Sequence, residues 1–361
     1  MPGAASATFT DPPALRIVEN APLDRLNTFG VSARARRLVV LDDERQLPQA
    51  IEAMRGFHAR CILGGGSNVL FAGDFDGAVL LVRTRGRERV DEAGAPADGG
   101  SLIRVQAGEP WDSTVQWSLA QGLAGLENLA MIPGSTGAAA IQNIGAYGLE
   151  LSERFDSLRA IDLDSGEVRR FTLADCRFGY RDSVFKQPGG SRWLVLELVL
   201  RVGADRLPVL TYGELKARFA GHATQPTAIE IDRAVREIRS RKLPDPAVLG
   251  NAGSFFKNPV VDRTLADGLR EREAGMPIHP AGSATGTDQV KLSAGWLIDR
   301  CGWKGVRLGD AGVHEAHALV LVNHGSASGH ELLELARLIR DSVHERFGIW
   351  LEPEPVIVGR L

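Results

Sequence analysis

Cys61-Ile62-Leu63-Gly64-Gly65-Gly66-Ser67-Asn68-Val69-Leu70-Phe71 is a short apolar run of strand type that opens into three glycines and two small polar residues before a second apolar run. Three glycines remove every Cβ, so backbone N–H groups can turn inward and approach an anion closely, and Ser67 and Asn68 add side-chain donors. The loop lacks the GxGxxG spacing and trailing acid of a Rossmann site and the GK[ST] of a P-loop, so both of those phosphate sites lose ground. A second glycine-bearing segment, Met131-Ile132-Pro133-Gly134-Ser135-Thr136-Gly137, runs on into Gln142-Asn143-Ile144-Gly145-Ala146-Tyr147-Gly148. Two such loops suit a ligand with a long pyrophosphate-linked body, a dinucleotide, better than a single phosphate. The plainer alternative is that both are tight turns of an α+β domain.

Outward from these loops, residues 37–41 read as a strand and 43–55 as a helix with Leu47, Ile51 and Met54 on one face. Strands are expected over 78–84 and 102–107, separated by a charged, Gly-rich solvent loop. Trp111, Val115 and Leu119 mark a helix ended by Gly122. Residues 158–163 and 168–172 form a hairpin around Asp164-Ser165-Gly166, and 193–202 is a long strand. Residues 206–227 are loop-rich, after which Thr227 and Glu230 form a capping box opening a helix with Ile231, Val235 and Ile238 on one face. Further on, a short helix near 265–273, an irregular Pro/Gly-rich segment to Asp288, a helix over 292–301, a buried strand over 318–323 and an amphipathic helix over 328–346 are expected.

The composition is that of an ordinary soluble chain, 361 residues with 44% hydrophobic and 24% charged, long enough for two packed cores. A formal net charge of -3 gives no global basic field, which disfavours nucleic acid as a partner. Cys61, Cys176 and Cys301 are odd in number, far apart and without CxxC spacing, which fits a reducing cytosol and no structural zinc. His314 and His317 lack HExxH spacing, so no metal site is expected. No basic start precedes an apolar run near residue 1 and no 18 apolar residues occur together, so a cytoplasmic protein without a membrane span is expected.

Three stretches carry candidate chemistry. Gly250-Asn251-Ala252-Gly253-Ser254-Phe255-Phe256-Lys257-Asn258-Pro259 places one hydroxyl among small residues and amides. No GxSxG elbow surrounds Ser254, which speaks against a nucleophile and for a proton donor, the other reading being a small serine ahead of a buried aromatic pair. Phe178-Gly179-Tyr180-Arg181-Asp182-Ser183 offers an arginine that is either a surface cation or a fixed fork for a carboxylate. Trp350-Leu351-Glu352-Pro353-Glu354-Pro355 holds two carboxylates stiffly between prolines, as catalysis or an acidic surface turn would. Arg239-Ser240-Arg241-Lys242, ahead of Leu243-Pro244-Asp245-Pro246, reads first as the cationic last turn of a helix.

Taken together, these residues resemble the flavin-dependent UDP-N-acetylenolpyruvoylglucosamine reductases of peptidoglycan precursor synthesis, from about Leu26 to Gly359. The resemblance rests on Asn27-Thr28-Phe29, GGGSN at 64–68, IPGSTGAAAIQNIGAYG at 132–148, FGYRDS at 178–183, KLPDP at 242–246, GNAGSFFKNP at 250–259, KLSAGWLID at 291–299 and LEPE at 351–354, all in the family's order. It implies an α+β fold: an FAD-binding lobe of the vanillyl-alcohol oxidase type and a smaller α/β substrate-binding domain. The division expected is a disordered tail over 1–15, the FAD-binding lobe over 16–222 in two subdomains split near 85, and the substrate-binding domain over 223–361. The last strand, 349–359, is allowed to pack on the FAD lobe.

Carried over by motif, Ser254 matches the proton donor, and Arg181 and Glu354 match the other two active-site residues. Gly64, Gly65, Gly66, Ser67 and Asn68 in the first loop, and Pro133, Gly134, Ser135 and Gly137 in the second, are implied to bind FAD. Asn143, Gly145 and Arg239 are implied as further cofactor contacts. Tyr180, Lys242 and Asn258 match substrate contacts, and Tyr212 matches the substrate-covering tyrosine of the subgroup that has that loop. Pro355 departs from the pattern, which has an apolar non-proline residue there. The activity implied is NADPH-dependent reduction of the UDP-sugar enolpyruvyl ether to UDP-N-acetylmuramate, by a monomer. A binding protein that lost turnover would not need Ser254, Arg181 and Glu354 as a set. An alcohol oxidase with covalent flavin would need a histidine or cysteine in the loops at 64–68 or 132–148, and neither has one, so FAD is expected to be noncovalent.

Overall fold

A computed structural model of the chain describes residues 13–90, 100–280 and 288–359. The expected tail up to residue 12, residues 91–99 of the expected solvent loop and residues 281–287 of the Pro/Gly-rich segment lie outside the described residues.

A four-stranded sheet organises the molecule. Arg16–Pro22 pairs antiparallel with Arg34–Leu41, which runs parallel to Phe75–Val82, which in turn runs parallel to Arg60–Leu63. Parallel neighbours need a crossover, and the helix Leu47–Met54 supplies it, opened by a capping box in which Asp43 accepts from the Arg45 N–H and Gln46 reaches back to Asp43. Leu47, Ala50, Ala53 and Met54 are its buried residues. Ile51, expected on that face, is only half-buried, because two alanines let the helix backbone sit close to the sheet.

Side chains alternate across a strand, and here both faces are covered. Val39, Leu41, Ala78 and Leu80 point into one hydrophobic core, while Leu38, Val40, Val79 and Leu81 point into a second. The first core also contains a five-stranded antiparallel sheet ordered Val168–Thr172, Phe155–Asp162, Trp193–Val202, Ser101–Gln106, Arg87–Val90. The helix Ala228–Lys242, which begins at the expected Thr227 and Glu230 capping box, buries Ile231, Ala234, Val235 and Ile238 in this first core. It therefore packs with the N-terminal part of the chain, although the sequence reading groups it with the C-terminal part. The stretch 206–227, expected to be loop, contains the helix Gly213–Phe219, anchored by the fully buried Leu215.

The second core joins the far face of the first sheet to the C-terminal residues. Leu297, Leu332, Leu335 and Ile339 from the helices Ala294–Arg300 and Gly329–Phe347 meet Phe29, Val31, Phe255 and Phe256 there. Beside it lie a sheet ordered Gly250–Ser254, Val320–Asn323, Ala311–Val313, Arg307–Leu308 and a three-stranded sheet of Val260–Asp262, Gln289–Leu292 and Ile278–Pro280. Finally Val356–Val358 runs parallel to Val69–Phe71, the strand that follows the first glycine loop. Among the described residues no helix is long and apolar enough to cross a membrane.

Candidate active site

The two glycine loops meet backbone to backbone. A Cβ on Gly65 would lie 2.8 Å from the Gly134 Cα, so the loops can approach this closely only without a side chain there. Gly66 has a φ of +64°, and its carbonyl accepts from the Thr28 N–H at 3.0 Å, which locks the loop against the segment 26–28. The second loop is fixed from the helix Trp111–Ala120: the Trp111 N–H donates to the Gly134 carbonyl at 3.0 Å and Asp112 Oδ1 accepts from the Met131 N–H at 2.6 Å. Met131 is in the left-handed region, φ +57°. Arg236 bridges Asp112 and Asp232, with Nη2 to Asp112 Oδ1 at 2.6 Å and Nε to Asp232 Oδ2 at 2.9 Å, so the first turn of one helix is braced on the middle of another.

The candidate catalytic residues converge on a cleft lined by residues of both loops, a cavity of about 170 Å³. Its walls include Ser67, Asn68, Pro133, Gly134 and Ser135 on one side and Arg181, Arg239, Ser254 and Glu354 on the other. Ser254 ends the strand Gly250–Ser254 paired with Val320, after a left-handed Gly253 that lies within the register shift between Asn251 and Ser254. Arg181, itself at φ +55°, sits in the tight turn where Gly179 and Asp182 exchange backbone hydrogen bonds. Its Nη2 donates to the Gly145 carbonyl at 2.6 Å, its Nε pairs with Glu354 Oε1 at 3.1 Å, and its own carbonyl accepts from Lys186 Nζ at 3.0 Å. Glu354 is held by its backbone: its N–H donates to the Phe255 carbonyl at 2.8 Å, and its carbonyl accepts from Asn68 Nδ2 at 3.2 Å. Hence the first glycine loop, Ser254's neighbour and the arginine fork all grip one carboxylate-bearing residue.

Not every candidate faces the cleft. Asn143 is buried at φ +42° and spends its amide on the protein, donating to the Gly179 carbonyl at 2.9 Å and Glu150 at 3.0 Å and accepting from the Ser152 N–H at 2.9 Å. It shapes the turn that carries Arg181. Gly64 and Gly137 are packing positions, their missing Cβ atoms facing Ser135 Oγ and Ala107. Asn258 accepts from the Ala294 N–H at 2.9 Å and contacts Tyr180, whose phenol burial pushes above its ordinary pKa. Lys291 Nζ stands 4.3 Å over the Tyr180 ring, a cation–π contact. Tyr212 packs edge-on to Tyr147 with ring centroids 5.0 Å apart, and Lys242 lies 6.0 Å above its ring. Among the described residues no group of three or more His, Cys, Asp or Glu side chains could hold a metal ion.

Comparison with known proteins agrees with this geometry. A model of an FAD binding domain matches residues 35–172, and a model of the C-terminal domain of UDP-N-acetylenolpyruvoylglucosamine reductase matches residues 245–358. The UDP-N-acetylenolpyruvoylglucosamine reductase of Azoarcus sp. (strain BH72) is 50% identical over 96% of this chain and 99% of its own. The chain belongs to the UDP-N-acetylenolpyruvoylglucosamine reductase family. The reductase of Pseudomonas aeruginosa is 48% identical over 95% of this chain and 99% of its own. A solved reductase from Thermus caldophilus shares the fold, with a TM-score of 0.61 at 24% identity over 96% of this chain and 99% of that one.

The cleft of this reductase family member fits FAD. The glycine cradle leaves backbone N–H groups accessible, and Arg239, half-buried, carries an Nε sealed from solvent without a hydrogen-bond partner. Burial lowers its pKa, and its place in the cleft wall makes this guanidinium a cation available to an anionic group of the cofactor. Sequence reasoning gives no functional role to Trp111, which lines the cleft and reads only as a helix marker, to Asp112 and Arg236, or to Lys291, met only as the first residue of the motif at 291–299, because each sits in a regular element and reads as part of it. The brace yields a test. Arg236→Met removes charge-assisted hydrogen bonds worth about 1–3 kcal/mol, and the apoprotein should bind FAD correspondingly more weakly in a fluorescence titration, with Arg236→Lys in between. A lowered melting temperature with unchanged FAD affinity would show that the brace serves only the fold.

Proposed function

We propose that Ser254 delivers the proton, Arg181 holds the developing negative charge and Glu354 assists protonation or stabilises the intermediate, in the reduction of UDP-N-acetylenolpyruvoylglucosamine to UDP-N-acetylmuramate. The reaction is the family's: this protein is an FAD-dependent oxidoreductase of peptidoglycan precursor synthesis, with NADPH as co-substrate. When bound and reduced by NADPH, FAD would supply the hydride at the enolpyruvyl vinyl ether. Negative charge then builds at the adjacent carbon and its carboxylate, and the Arg181 guanidinium, pinned by Gly145 and Glu354, is preorganised to meet it. Ser254 gives its hydroxyl proton to that carbon, and Glu354, gripped by Phe255 and Asn68, assists the protonation.

The observation that carries this reading is the meeting of Ser254, Arg181 and Glu354 in one cleft walled by both glycine loops. The remaining loop and wall residues, with Arg239, are assigned to the cofactor, and Tyr180, Tyr212, Lys242 and Asn258 to the substrate. The test is spectroscopic. The purified protein is expected to be yellow with FAD released on denaturation, to bleach with NADPH, and to regain colour with the enolpyruvyl substrate. Colourless protein that ignores added FAD would sink the assignment.

For organisation, the change of partner sheets supports two domains, and the packing of the helix Ala228–Lys242 in the first core favours a boundary after Lys242 over the one expected at 223. A cytoplasmic location is supported by three free thiols, and the lack of a nucleic-acid partner by a net charge of -3.

A further inference from the structure

We propose that Glu214 is an internal counter-ion that must leave Lys242 when the diphosphate of a sugar nucleotide binds, so that this carboxylate sets the affinity of the cleft for its substrate. The proposal rests on the reading above, in which the substrate enters beside Lys242. The helix Gly213–Phe219 lies along the helix Ala228–Lys242, pinned by Leu215 in the first core and by the Arg218 to Glu237 ion pair at 2.7 Å. From its first turn Glu214 reaches the last turn of the longer helix, one carboxylate oxygen on Arg241 and the other on Lys242.

Three cations crowd that last turn, Arg239, Arg241 and Lys242, and a helix C-terminus tolerates them. Arg239 and Leu243 line the cleft, so Lys242 stands at its rim. Two of the cations share one carboxylate, which leaves a net positive charge at the rim even with the pairs made. That excess draws an incoming polyanion, and a diphosphate outbids a single carboxylate for Lys242. Glu214 and Lys242 are each about one-third exposed, at 34% and 38% of the side chain, so the pair is held weakly enough to exchange. Because Tyr212 precedes Glu214 by two residues and lies under Lys242, the exchange also frees the tyrosine from the lysine it rests against.

UDP is the probe, titrated into the FAD-loaded enzyme. Glu214→Gln should bind UDP roughly three- to tenfold more tightly, since the ligand no longer competes with a charge. Lys242→Met should bind it more weakly than the parent, and in that background Glu214→Gln should add nothing. Unchanged or weaker UDP binding by Glu214→Gln, with Lys242→Met weak and both variants melting like the parent, overturns the counter-ion role while leaving the substrate site intact. A gain from Glu214→Gln that persists without Lys242 also overturns it. If Lys242→Met binds UDP like the parent, the placement of substrate beside Lys242 fails first, and the counter-ion proposal falls with it.

Discussion

Ser254→Ala is expected to leave bleaching of the flavin by NADPH near the parent rate and to slow its reoxidation by the enolpyruvyl substrate at least a hundredfold. General acid groups contribute on the order of 10²–10⁴ in rate, about 3–5 kcal/mol of barrier. The structure sharpens why the two half-reactions should separate. Ser254 is the last residue of its strand, after a left-handed Gly253, and its pairing to Val320 runs through the backbone, so removing the hydroxyl leaves the strand and cleft wall standing. A larger loss is allowed, because an enolate left unprotonated can return its hydride. Cysteine at this position should restore part of the rate, since a thiol also carries a proton at that reach. Rapid-mixing absorbance distinguishes the outcomes. Reoxidation of Ser254→Ala at nearly the parent rate would assign the proton to Glu354 or water.

Gly66→Ala is expected to cost the enzyme its cofactor. A methyl at this position would lie 1.9 Å from the Leu26 carbonyl oxygen, on a residue at φ +64°. The left-handed conformation costs about 1–2 kcal/mol for a residue with a Cβ, and overpacking adds about 1–3 kcal/mol. Because the strain falls on the loop proposed to cradle the cofactor, FAD affinity of the apoprotein should drop at least about thirtyfold, the equivalent of roughly 2 kcal/mol. Gly56→Ala is the control: φ is +84° there, with nothing within 4 Å of the added methyl, so it carries the conformational cost at a distance from the cleft. Equal FAD affinity in Gly66→Ala and Gly56→Ala would show that the loop at 64–68 is not where the cofactor is held.

Much of the local structure was legible in the residues. The capping box of Thr227 and Glu230 marks the start of a helix because its two reciprocal hydrogen bonds are local, and the strand 193–202 reads directly because a long apolar run with β-branched residues has few alternatives. The N-terminal strand Arg16–Pro22 was not legible: six of its seven residues are exposed, so it is held by hydrogen bonds to Arg34–Leu41 and leaves no hydrophobic period. The helix Gly213–Phe219 escaped for a related reason, since Leu215 alone is buried. At the site, the motif stretches announced Ser254, Arg181 and Glu354 individually. Their meeting was not legible, because it depends on a parallel pairing between Val69–Phe71 and Val356–Val358 that neither stretch specifies alone. Asn143 shows the converse, a polar residue in a motif whose task is to build the turn beneath a functional neighbour.

That parallel pairing also decides what fails first. Glu354 is tied to the glycine loop across 286 residues of chain by a side-chain hydrogen bond and a three-residue ladder, while the hydrophobic cores are built from dozens of fully buried side chains. Proteins open in local units with free energies well below the global value, and a ladder this short is such a unit. Warming or mild denaturant would peel the last strand away reversibly, with the first core intact, Val358 drawn from the edge of the second and the cradle disturbed on one side only. The enzyme would then fall silent while still folded and recover on cooling, its working range set by a ladder of three residue pairs.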